Sequence, residues 1–159
     1  MIGPVRMLIA CLAATMLLAG TATAQLGSKK VVLLEEAKKI AAAAHAEAVK
    51  NKWNMVIAIV DDTGNLIYLE RMDNAQVGSV SVAQGKARTA AQFRRPTRVF
   101  EEAITKGRNA LLNLSADFTP VTGGVPIVSG GVVIGAVGVS GGTSDQDEQC
   151  AKAGAALVQ

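Results

Sequence analysis

The stretch Val125–Leu157, VPIVSGGVVIGAVGVSGGTSDQDEQCAKAGAAL, reads as a glycine-laced β-hairpin running directly into a capped helix. Val125–Val128 and Val132–Val139 are its two apolar runs, and Ser129-Gly130-Gly131 is the turn between them. Thr143 and Gln146 make the pattern T-x-x-Q, a capping box that predicts a final helix over Ser144–Leu157. Glycines recur at Gly135, Gly138, Gly141 and Gly142, which invites comparison with a nucleotide loop. The first two fall inside the strand, and no acidic residue follows at ribose-binding distance. Asp145, Asp147 and Glu148 already complement the positive end of the helix and would repel a phosphate. The glycines are therefore read as places of close strand or subunit packing.

Upstream the pattern repeats. Met55–Val60 (MVIAIV) is a short continuous apolar run, as expected of a strand buried on both faces. Asp61-Asp62-Thr63-Gly64-Asn65 supplies turn residues, and Leu66–Arg71 resumes as the second strand of a hairpin. Glu35–Lys50 is alanine-rich, with Ala37, Ile40, Ala41, Ala44 and Ala48 on one helical face. Ser79–Phe93 reads as a second helix, ended by Arg95-Pro96 because the residue before proline is pushed out of the helical region. Thr97 is placed to cap a further helix, with Phe100, Ile104 and Leu111 on its apolar side and Gly107 interrupting it. The order helix, hairpin, helices, hairpin, helix predicts an α+β fold: an antiparallel β-sheet from two hairpins with flanking helices.

Residues 1–24 read as a secretory signal peptide. Arg6 gives a positive n-region, Met7–Leu18 is an apolar h-region, and Ala22-Thr23-Ala24 is a small-x-small cleavage site. The apolar run is short of the ~20 residues that span a bilayer, so no membrane span is expected after cleavage. The expected location is periplasmic or secreted. Residues 25–159 then form one domain, near the commonest size for a single core. Of 16 basic and 13 acidic residues only Arg6 leaves with the signal. That mild balance argues against nucleic acid as a partner. Cys11 also leaves, so Cys150 has no intramolecular partner for a disulfide.

LEEAKKIAAAA (34–44), VIAIVDDTGNLIYLERMD (56–73), GKARTAAQFRRPT (85–97), GGVPIV (123–128) and VIGAVGVSGGTSDQDEQ (133–149) together cover most of the chain after residue 24. On these stretches it resembles the GlcG/HbpS-like family of haem-degrading or haem-binding proteins, to which the C-terminal domain of PduO-type proteins is related. The resemblance implies a profilin-like sandwich that assembles as a homo-oligomer. It also implies haem, bound without covalent attachment, or a function beside glycolate or diol metabolism. The family often carries Thr or Ser just before the first helix, where Leu34 stands here.

His45 is the only histidine, so any imidazole chemistry depends on it. It lies about 80° from the centre of the first helix's apolar face, at the edge of the buried stripe. In related PduO-type domains a histidine on this helix looks like the haem ligand, which implies His45 as the iron ligand. Residues 85–108 hold Lys86, Arg88, Arg94, Arg95, Arg98, Lys106 and Arg108 against Glu101 and Glu102. Guanidinium forks match carboxylates, so Arg88, Arg94 and Arg95, within the family motif, are candidates for haem propionates or for a small 2-hydroxy acid. The absence of C-x-x-C-H means that haem would bind reversibly. The hydroxyls of Thr89, Ser140 and Thr143 have no second histidine or placed lysine to activate them, which argues against a Ser-His-Asp hydrolase. Asp61, Asp62, Glu70 and Asp73 show no pairing that predicts acid–base work. Three readings stay open: a haem-binding protein in haem handling or redox sensing, an accessory enzyme or binding protein for a small hydroxy acid or aldehyde, and a structural oligomer.

Overall fold

A computed structural model of the chain describes residues 27–158; the expected signal peptide and its cleavage site lie outside them. The elements run α1 (Leu34–Lys50), β1 (Val56–Asp61), β2 (Leu66–Arg71), α2 (Ser79–Phe93), α3 (Arg98–Thr105), a 3-10 turn (Asn109–Asn113), β3 (Gly124–Ser129), β4 (Val132–Ser140) and α4 (Ser144–Ala155), with a last 3-10 turn over Ala156–Val158. The four strands form one antiparallel sheet in the order β2-β1-β4-β3. The fold is therefore α+β, as the two-hairpin order predicts. The central pair is formed by strands from different hairpins, with Ile59 opposite Val137 and Ala58 opposite Gly138.

Alternation along β1 sorts two cores. Ile57 and Ile59 point to one face, where they meet Ile40, Val137, Val139 and the alanines of α1 and α4. Val56, Ala58 and Val60 point to the other, against Ala83, Ala87, Ala90 and Ala91 of α2. Both faces are covered, which is why β1 is a continuous apolar run rather than an alternating one. Burying each Val or Ile contributes roughly 1.5–3 kcal/mol. The alanine faces let the helices sit close to the sheet and to each other.

Local chemistry shapes the ends. Gly130 and Gly131 both have positive φ, 59° and 79°, which makes the two-residue turn that a tight hairpin requires. Ser129 belongs to β3 and pairs with Val132 rather than sitting in the turn. The Thr143–Gln146 capping box is present in both directions. The carboxylate of Asp61 accepts hydrogen bonds from the N–H and Oγ1 of Thr63 and the N–H of Asn65, at 2.8, 2.6 and 2.9 Å. Burial alone would raise this acid, but these donors bring it down to about 2.

Three expectations change. Arg94, in the left-handed region at φ 54°, ends α2 before Arg95-Pro96 can. Thr97 does not cap α3: its backbone is helical, and its Oγ1 instead accepts the N–H of Gly124 at 2.9 Å, tying α3 to β3. The α-helix of the C-terminus stops at Ala155 and tightens to a 3-10 turn. Cys150 is fully buried between α1 and the sheet, and burial, with Glu47 and Asp147 nearby, pushes its thiol up to about 12. It is a packing group with no thiolate character.

Candidate functional site

His45 projects from α1 toward the edge strand β2. The register that sets Glu70 opposite Ile57 turns its side chain onto the α1 face of the sheet. There the His45 Nδ1 meets Glu70 Oε1 in a short hydrogen bond. Tyr68 Oη donates to the other carboxylate oxygen at 3.3 Å, and burial, with Glu70 beside it, raises the Tyr68 phenol. A carboxylate only accepts, so this contact calls for a proton on Nδ1 and leaves Nε2 outside the bond, in a side chain that is 39% exposed. Leu34, Lys38 and Val49 lie on the same exposed stripe of α1, within about 60° of one another at 100° per residue. Lys38 pairs with Glu35 at 2.8 Å on the surface.

The arginines lie elsewhere. Arg88 is on α2, across the sheet, in a cleft of about 320 Å³ lined by Ser81, Gln84, Asp117 and Thr119. Its Nε reaches the carbonyl of Gly64 at 3.5 Å, and its guanidinium lies 3.5 Å from Asp117. Arg94 is exposed at the helix end. Arg95 donates to the carbonyl of Phe93 at 3.2 Å and sits over the Phe100 ring, 5.8 Å from its centroid. The joint site expected from the sequence, with His45 and these arginines on one ligand, is not assembled within a single chain. α1 and α2 cover opposite faces of the sheet.

Much of the basic segment has structural work. Arg98 bridges Asp145 at 2.5 Å and Glu148 at 2.9 Å, clamping α3 to the first turns of α4. Lys86 is 1% exposed, and its Nζ lies 2.6 Å from Asp147 Oδ2 and 3.1 Å from the carbonyl of Val139. By sequence alone Lys86 is one more cation of the basic segment and Asp147 a partner of the helix dipole, whereas the fold buries the two as a pair. Their burial was foreshadowed by one signal: Lys86 adjoins the Ala83/Ala87/Ala90 stripe. The hydroxyls are also engaged, since Thr89 accepts the N–H of Thr119 at 2.9 Å and Ser140 lies 3.2 Å from Ser79. Among the described residues no three His, Cys, Asp or Glu side chains gather as a metal site, and no helix is long and apolar enough to cross a membrane.

Comparison with known proteins agrees with this architecture. Residues 32–156 match the family described as haem degrading protein HbpS-like. Protein GlcG of Escherichia coli (strain K12) is 47% identical over 112 residues, which are 70% of this chain and 83% of GlcG. The crystal structure of HbpS superposes with a TM-score of 0.78 at 30% identity, over 89% of this chain and 99% of that one. The crystal structure of a PduOC:heme complex shares the fold with a TM-score of 0.73 at 24% identity, over 82% of this chain and 96% of that one. With a family match across the whole two-core sheet, the chain belongs to the HbpS-like family of haem-degrading proteins.

Proposed function

We propose that this chain is a haem-binding protein whose His45 ligates the iron through Nε2. The observation that carries the reading is the Glu70 carboxylate on His45 Nδ1. A metal-ligating histidine almost always gives its other ring N–H to such an acceptor, which sets the tautomer and raises ligand basicity. Exposed Leu34 and Val49, on the same stripe of α1 as His45, supply apolar surface for a macrocycle. Lys38 is the cation on that stripe suited to a propionate. Arg88, Arg94 and Arg95 reach such a haem only from a second protomer. The family description supports haem as the ligand class, and PduOC, alike in fold, was crystallised with heme. Bound haem supplies redox-active iron; the chain's residues orient the imidazole and shield one face of the ring.

Haemin titrated into residues 25–159 is expected to give a saturable Soret shift. His45→Ala should change the spectrum and weaken affinity at least tenfold, and Glu70→Gln should cost about 10–100-fold while keeping the ligand. A His45→Ala spectrum and affinity equal to wild type would remove His45 from the site. A second reading, a small 2-hydroxy acid at the polar cleft of Arg88, is favoured by the Ser81, Gln84 and Thr119 groups beside that guanidinium, and it requires the acid to displace Asp117. It predicts that glycolate, and not haemin, binds saturably and that Arg88→Gln abolishes it.

The leader supports export, and large apolar side chains left exposed, among them Val77, Leu112 and Val132, support self-association. Protein recovered from the cell envelope is expected to begin at Gln25 and to scatter light with at least twice the mass of one mature chain. A retained Met1, or a monomer at micromolar concentration, would overturn the corresponding half of this reading.

A further inference from the structure

We infer that the groove between the end of α2, α3 and the 109–113 turn is a binding site for an arylalkanoate-type carboxylate, a compact apolar body ending in one carboxylate. The groove encloses about 270 Å³. Phe93, Phe100, Leu111 and Leu114 form its wall, and Arg95 and Arg108 are its charged residues. Edge-to-face packing sets the aromatic wall: Phe93 and Phe100 lie 5.3 Å apart, and Phe118 packs behind both at 5.3 and 5.0 Å. Val99 and Leu114, 47% and 50% exposed, continue the apolar surface to the rim.

Charge selects the occupant. The cleft at Arg88 contains Asp117, and the cleft at Arg98 contains Glu101, Glu102 and Asp145, so those cations are opposed by acids. The groove's lining contains no acid, and the arginine salt bridges among the described residues are those of Arg88 and Arg98, not of Arg95 or Arg108. Two guanidiniums without an acidic partner among the described residues, both lining an apolar slot, match a carboxylate in fork geometry, with the ligand's body against the phenyl rings. Arg95 is already oriented by the Phe93 carbonyl and the face of Phe100, so little side-chain freedom is lost on binding. The volume is small for a macrocycle and near the lower end for small-ligand pockets, which favours a ligand with a single ring. This site shares no residue with the His45–Glu70 pair and does not depend on the haem reading.

The test is calorimetric titration of the mature chain with 3-phenylpropionate, together with amide chemical-shift mapping. Saturable binding on the order of 0.1–1 mM is expected, with shifts concentrated at Phe93, Phe100 and Leu111. Arg95→Gln with Arg108→Gln should weaken it at least tenfold, and the uncharged 3-phenylpropanol should bind the wild type at least tenfold more weakly. Both arginines are exposed, so the double variant is expected to keep the wild-type thermal midpoint, checked by circular dichroism. His45→Ala should bind 3-phenylpropionate as wild type does, which separates this site from the haem site. No saturable binding to wild type, shifts elsewhere, or unchanged affinity in the double variant would overturn the assignment.

Discussion

Lys86→Ala is expected to lower the stability of the fold by about 3–5 kcal/mol at neutral pH, because it leaves a carboxylate buried without its cation. Asp147 is 3% exposed, and besides Lys86 it accepts the N–H of Gly142 at 2.9 Å. Burial pushes the Asp147 carboxyl above its ordinary value, while Lys86 and backbone donors pull it back. A carboxyl raised in the folded state favours folding most below the ordinary aspartate range, and that contribution is lost as pH rises through the folded value. Without Lys86 the folded value rises further. The deficit of Lys86→Ala should therefore be largest at neutral pH and shrink toward pH 4, where Asp147 enters the fold neutral. Urea denaturation at both pH values checks this. Lys86→Met with Asp147→Leu should recover much of the loss, since a buried pair is often replaceable by apolar groups of similar volume. Equal deficits at the two pH values would show that the loss is one of packing rather than charge.

Gly138→Ala is expected to cost at least about 3 kcal/mol, at the upper end for overpacking. A Cβ built there lies 2.1 Å from the carbonyl oxygen of Ala83 and 2.5 Å from the nitrogen of Ala87. Both are backbone atoms of α2, so relief requires moving a whole helix off the sheet. Gly78→Ala is the matched control, with ordinary φ and nothing within 4 Å of the new methyl. It should change stability by less than about 1 kcal/mol. Comparable denaturation midpoints for the two variants would contradict the close approach of α2 to β4.

The two hairpins and the antiparallel sheet were legible in the chain because their signals are local. MVIAIV is a doubly buried strand by composition, and the T-x-x-Q box needs only four consecutive residues. Gly130-Gly131 specifies its turn through backbone freedom that other residues lack. The same locality misled at Thr97. A threonine ahead of a helix is a cap by habit, yet here β3 arrives from 27 residues away and takes the hydroxyl.

The candidate site was legible as residue types and not as an arrangement. The sequence by itself determined that there is one imidazole, that it stands at the edge of the α1 apolar face, and that cations crowd residues 85–108. Only the tertiary structure decided that Glu70, 25 residues away, holds that imidazole. It also decided that the arginines lie across the sheet, that Lys86 is a buried tie to Asp147, and that Arg95 and Arg108 share an apolar groove. The physical reason is that hairpin and helix patterns arise from neighbours within a few residues. Which faces meet depends instead on strand order and on the two-residue alternation of β1, which sends successive side chains into separate cores.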